Sequence, residues 1–111
     1  MRLAALLAVA GAAASATSTA RAEPTPANRT LAQSLFEEAR KLMAAKDYAA
    51  ACPKLAQSET LDPSPGTLLN LAVCHQEAGR LATAWSEFND AAASARTAHE
   101  DPRVSFATTR A

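Results

Sequence analysis

Few side chains in this sequence have the chemistry to act on a substrate. The cysteines are Cys52 and Cys74, the histidines are His75 and His99, and the acidic residues worth weighing are Glu37, Glu38, Glu87 and Asp90. A metal site would have to draw on Cys52, Cys74, His75 and His99. Neighbours on a helix point about 100° apart, so Cys74 and His75 do not aim at one ion. No C-x-x-C spacing is present, which argues against a redox pair. Three glycines form no phosphate-cradling loop, and no serine stands in a nucleophile elbow. Glu37 precedes Lys41 by four residues, the spacing of a solvated helical ion pair, and Glu87 and Asp90 are expected on solvated faces too. His75 is expected to pack partly buried, and His99 to favour a helix dipole. No metal, no cofactor and no enzymatic activity are expected. The two cysteines remain open between a disulfide and a pair of buried thiols packed as small hydrophobes.

The compartment bears on that choice. Met1-Arg2 is a short positive start, residues 3–14 are an uncharged apolar run, and Ala20-Arg21-Ala22 closes a small, polar stretch. That order is a secretory signal peptide over residues 1–22, with an alternative cleavage point after Ala16. The run is shorter than the roughly 20 residues a membrane span needs, so no stable membrane insertion is expected after cleavage. A periplasmic or secreted, bacterial location follows, and it permits a disulfide. Without Arg2 and Arg21, nine basic residues face eleven acidic ones, a net −2. No basic stripe remains to suit nucleic acid. The mature chain is small enough that one hydrophobic core stabilises it only marginally.

The elements that would position these residues are helical. Residues 23–29 contain Pro24 and Pro26 and suggest an extended lead-in. Thr30 and Gln33 form a capping box for a first helix over residues 31–45, with Leu31, Leu35, Ala39, Leu42 and Met43 at helical spacing. Asp47 caps a second helix, bent at Pro53 and ended by Leu61-Asp62-Pro63. Ser64-Pro65 starts a third helix, and Gly79 supplies its left-handed stop. A fourth is expected over residues 81–98. Residues 99–111 form a tail of weak periodicity.

A second period overlies the helical one. Tyr48, Ala51, Leu55 and Ser58 recur as Leu81, Ala84, Phe88 and Ala91, always 33 residues on, and Ala39 and Leu42 recur as Ala72 and His75. A period of this length belongs to stacked helical hairpins. In both copies, over about residues 32–98, the sequence resembles the tetratricopeptide repeat (TPR). The second copy is the clearer, through Asn70-Leu71-Ala72, Gly79, Ala84, Phe88 and Ala91; Asp62-Pro63 closes the first. Lys46 departs from that family's glycine, and His75 from its large aromatic.

The resemblance implies an all-α fold: two antiparallel helix-turn-helix hairpins, residues 30–63 and 64–98, stacked as a short right-handed solenoid. Ala39, Ala51, Ala72 and Ala84 would let helices approach, with Leu55, Phe88 and Trp85 filling the gaps. The first helix of each hairpin would line a groove for a protein or peptide partner, showing Phe36, Glu37, Arg40, Met43, Asn70, Val73, Gln76 and Glu77. Asn70 matches the asparagine with which some members hold a peptide carboxylate, but the basic residues completing that clamp are unmatched, Arg40 aside. Otherwise Asn70 bonds neighbouring backbone. In the repeat frame Cys52 and Cys74 face each other across adjacent helices, which makes a Cys52–Cys74 disulfide the leading expectation. Two repeats also leave the outer side of the fourth helix, at Trp85, Ala92 and Ala95, poorly covered. Self-association as a homo-oligomer, or a truncated structural fragment, is the alternative to a partner-binding module.

Overall fold

The computed structural model describes Gly11 and residues 23–97, so the expected signal peptide and C-terminal tail lie outside the described residues. Among the described residues there are four helices: α1 (Pro26–Ala44), α2 (Tyr48–Leu61), α3 (Pro65–Glu77) and α4 (Leu81–Thr97). No strand occurs among the described residues. The fold is all-α and repeat-like, with α1 packed on α2, α2 on α3 and α3 on α4. Three-residue connections leave successive helices little choice but to double back.

The α1 start differs from expectation. Thr25 is the N-cap, its hydroxyl accepting from the Asn28 amide at 3.1 Å, and Pro26 stands in the first turn. The capping box does not form: Thr30 Oγ1 donates to the Pro26 carbonyl, and Gln33 donates to Glu37. A hydroxyl followed by proline is a complete start signal, because proline lacks the amide that the first turn cannot satisfy. Residues 26–29, expected extended, are therefore helical.

The other ends follow their signals. Asp47 accepts from the Ala50 amide, and Ser64 from that of Thr67. Glu59 also accepts from the Ser64 amide at 3.0 Å, which ties the α2–α3 turn. α2 runs without interruption through Pro53.

Both hairpin turns are Schellman motifs. After α1, the Asp47 amide donates to the Leu42 carbonyl and Lys46 to Met43. After α3, Arg80 donates to His75 and Gly79 to Gln76. Each bond has its counterpart 33 residues on, so the sequence repeat is also a repeat of backbone hydrogen bonds.

The core has two clusters. Ala39, Ala51, Cys52, Leu55, Leu71 and Cys74 form the first, and Ala72, Ala84, Phe88, Ala91 and Ala92 the second. Leu68 packs against both. The expected contact alanines Ala39, Ala51, Ala72 and Ala84 are all buried, which is how helices approach without a bulky ridge between them. Ser58 Oγ adds a buried tie from α2 to the Ala32 carbonyl of α1, at 2.8 Å.

Three expectations about faces are corrected. Trp85 does not fill a gap: it is 58% exposed, and Leu81, one turn before it, is 64% exposed. Ala92 and Ala95 are buried rather than left at an open edge. Glu87 is not on a solvated face, because its carboxylate meets His75 of α3.

Candidate functional site

Cys52 of α2 and Cys74 of α3 form a disulfide across the junction between the hairpins, with Cα atoms 5.7 Å apart. Both are buried in the first core cluster. Free thiols packed as hydrophobes are therefore not the state of this structure. The bridge closes a loop of sequence separation 22.

The eight expected groove residues divide by burial. Phe36 and Met43 of α1 pack against the first core cluster, and Val73 of α3 against the second. Glu37, Arg40 and Glu77 are exposed, while Asn70 and Gln76 are half-buried. The Arg40 guanidinium lies 5.9 Å from the Phe36 ring centroid, within cation–π range. Asn70 Nδ2 donates to the Gly66 carbonyl at 2.8 Å, so that amide serves the local backbone. Glu37 accepts from Gln33 rather than pairing with Lys41, and the neighbouring Glu38 pairs instead with Lys54 of α2 at 2.9 Å. The hydrogen bond from Lys54, and then its charge, hold the Glu38 carboxyl below its ordinary pKa.

A cavity of about 200 Å³ opens between α1 and α3. Ala32, Gln33 and Phe36 form one wall and Gly66 and Thr67 the other, above Ser58 of α2 and Asp62 just past its end. Phe36 is the one expected groove residue that lines it.

A larger cleft of about 410 Å³ lies between α2 and the α3–α4 turn. Tyr48, Ala49, Pro53 and Ala56 line it from α2, and His75, Ala78 and Arg80 from the other side, with Cys52 between. His75 is nine-tenths buried, and its Nδ1 lies 2.5 Å from Glu87 Oε1. A carboxylate only accepts hydrogen bonds, so an ionised Glu87 fixes the proton on Nδ1 and leaves Nε2 as the second functional atom of the ring. No group of three or more His, Cys, Asp or Glu placed to hold a metal occurs among the described residues.

Sequence patterns did not signal the His75–Glu87 couple, because its members lie on different helices and no motif pairs them. The one available signal was His75 itself, a polar residue at a core position of the repeat.

No family model, curated protein or solved structure matches the chain.

Proposed function

We propose that this chain is an exported, non-catalytic module of two tetratricopeptide-like repeats, stacked as a short right-handed solenoid, that binds a protein or peptide partner along α1 and α3. The observation behind this reading is the cavity walled by α1 on one side and the start of α3 on the other, with Phe36 in one wall and Gly66-Thr67 opposite. Along the same two helices, half-buried Phe36, Met43 and Val73 alternate with exposed Glu37, Arg40 and Glu77. An apolar strip with a polar rim is the usual make-up of a peptide-binding surface. The 33-residue repeat in sequence, burial and turn hydrogen bonds favours the TPR-like arrangement. The leader sequence and the paired cysteines favour an oxidising compartment, the periplasm or the outside of a bacterial cell.

The test is affinity capture from a bacterial periplasmic extract with the mature chain and with a Glu37→Arg/Arg40→Glu/Asn70→Ala variant. A partner retained by the first and lost by the second supports the reading. Equal capture by both, or none by either, overturns it.

A second reading, self-association, is favoured by one observation. The 33-residue offset maps Tyr48 and Cys52, which face α3, onto Leu81 and Trp85, which are exposed. Sedimentation of the mature chain as a dimer that Trp85→Glu dissociates would support it. A monomer at all accessible concentrations would remove it.

A further inference from the structure

The cleft between α2 and the α3–α4 turn has no part in the groove proposed above, and the repeat supplies an internal control for it. On the outer face of α2, Ala49, Pro53 and Ala56 are exposed and line the cleft. Their counterparts on α4 are Ala82, Ser86 and Asn89, also exposed. The fold accepts polar residues at two of these three positions, Ser86 and Asn89, so packing there does not require an apolar surface.

Pro53 adds a second departure. Proline has no amide hydrogen to donate, so the Ala49 carbonyl loses its regular helical partner. Ala49 and Pro53 both line the cleft, so the acceptor freed by the proline belongs to a cleft-lining residue. Across from it stands Arg80, exposed and without an ion-pair partner among the described residues. His75, held by Glu87, sits at the base. The cleft therefore offers a fixed cation, a backbone acceptor and an apolar wall that includes the half-buried Tyr48 ring. Its volume falls within the range of small-molecule sites.

We infer that this cleft binds a small organic carboxylate with an apolar body and one N–H donor, of the N-acyl amino acid type. The carboxylate pairs with Arg80, the N–H meets the Ala49 carbonyl, and the apolar body lies against Tyr48, Pro53 and Ala56. Arginine suits this role because its charge persists at every accessible pH and its planar fork matches a carboxylate.

The probe is N-acetyl-L-phenylalanine, titrated into the isotope-labelled mature chain and followed by nuclear magnetic resonance. Saturable one-to-one shifts should centre on Tyr48, Ala56, His75 and Arg80. The Arg80→Gln variant, or replacing the probe by its uncharged amide, should weaken binding about tenfold, the size of one charge-assisted hydrogen bond. Ala56→Glu should abolish binding while the circular dichroism stays helical. Pro53→Ala is the most telling variant: restoring the helix hydrogen bond should raise Tm and also weaken binding. No saturable shift up to about 10 mM probe would overturn the assignment. So would shifts centred on α1, binding indifferent to Arg80, or binding confined to longer peptides with the same C-terminal residue. An absence of saturable shifts, or binding indifferent to Arg80, leaves capture through α1 and α3 untouched, so the two proposals fail separately.

Discussion

Lys46 and Gly79 hold the same place in the two hairpin turns, 33 residues apart, and both have left-handed backbones, with φ of 60° and 81°. Each is the residue past the helix end in a Schellman turn, where only glycine is free of the Cβ penalty. A non-glycine residue in that region costs about 1–2 kcal/mol. Lys46→Gly should therefore stabilise the chain by about 1 kcal/mol in urea unfolding. Gly79→Ala should destabilise it by a similar amount. Nothing lies within 4 Å of a Cβ added at Gly79, so the loss would be a backbone effect. No change in either variant would mean that the turn geometry does not limit stability.

The disulfide joins the hairpins at their only extensive junction, α2 on α3 among the described residues. Closing a loop of this size contributes about 3 kcal/mol in the chain-entropy account. That is a large share of what a domain of this size commands. Reduction, or the Cys52→Ala/Cys74→Ala variant, should lower unfolding free energy by about that amount. Intact mass should rise by two hydrogen atoms on reduction. Unfolding unaffected by reductant would show the bridge to be dispensable.

The residues that announced this fold did so through backbone chemistry. Asp47 and Ser64-Pro65 satisfy or remove free amides at helix starts, Gly79 permits the left-handed turn whose amides satisfy carbonyls at a helix end, and each acts as its chemistry requires. Thr25-Pro26 carries the same signal as Ser64-Pro65, but the nearby Thr30–Gln33 pair offered a competing start, and local sequence does not rank the two. The cysteine pairing was legible once the repeat placed both residues on facing helices. Trp85 was legible only in part: two repeats leave it uncovered, as it is, but helical periodicity also grouped it with Leu55 and Phe88 as a gap-filler without saying what covers it. Glu87 was hidden for a related reason: its partner is twelve residues away on another helix. The cleft left only indirect marks, a proline inside a helix and a run of alanines.

The His75–Glu87 couple predicts a stability effect that a solvated glutamate would not have. Glu87→Ala leaves the buried Nδ1–H without its acceptor, at a cost of about 1–3 kcal/mol. Glu87→Gln keeps an acceptor and should lose less. A loss under about 0.5 kcal/mol on Glu87→Ala, the ordinary size of a surface change, would return Glu87 to the solvated face.

Glu38 predicts a pH effect of definite sign. The Lys54 hydrogen bond, followed by its charge, lowers the Glu38 pKa. A carboxyl whose pKa is lower folded than unfolded adds stability above its unfolded pKa, and that contribution disappears as pH falls through the folded value. The pair is exposed and screened by salt, so its net effect is small. The Glu38 titration midpoint, read by nuclear magnetic resonance, should lie below that of an ordinary glutamate and rise in Lys54→Met. An unchanged midpoint would mean that the contact does not persist in solution.

Trp85 is the single tryptophan of the chain, so intrinsic fluorescence reports directly on the α4 face. In the first hairpin the equivalent face receives α3, through Tyr48 and the Cys52 bridge. On α1 the residues 33 positions before Leu71 and Cys74 are Glu38 and Lys41, both exposed. That end presents charge, which resists head-to-tail stacking of copies, whereas the α4 end presents Leu81 and Trp85. Two α4 faces meeting across a two-fold axis would bury both residues from each copy. Dilute protein should then show red-shifted emission that acrylamide quenches readily. Raising the concentration should shift the emission to the blue and protect it, and Leu81→Lys should remove both changes. If emission stays red-shifted and quenchable at every concentration, copies of this chain do not cover the face.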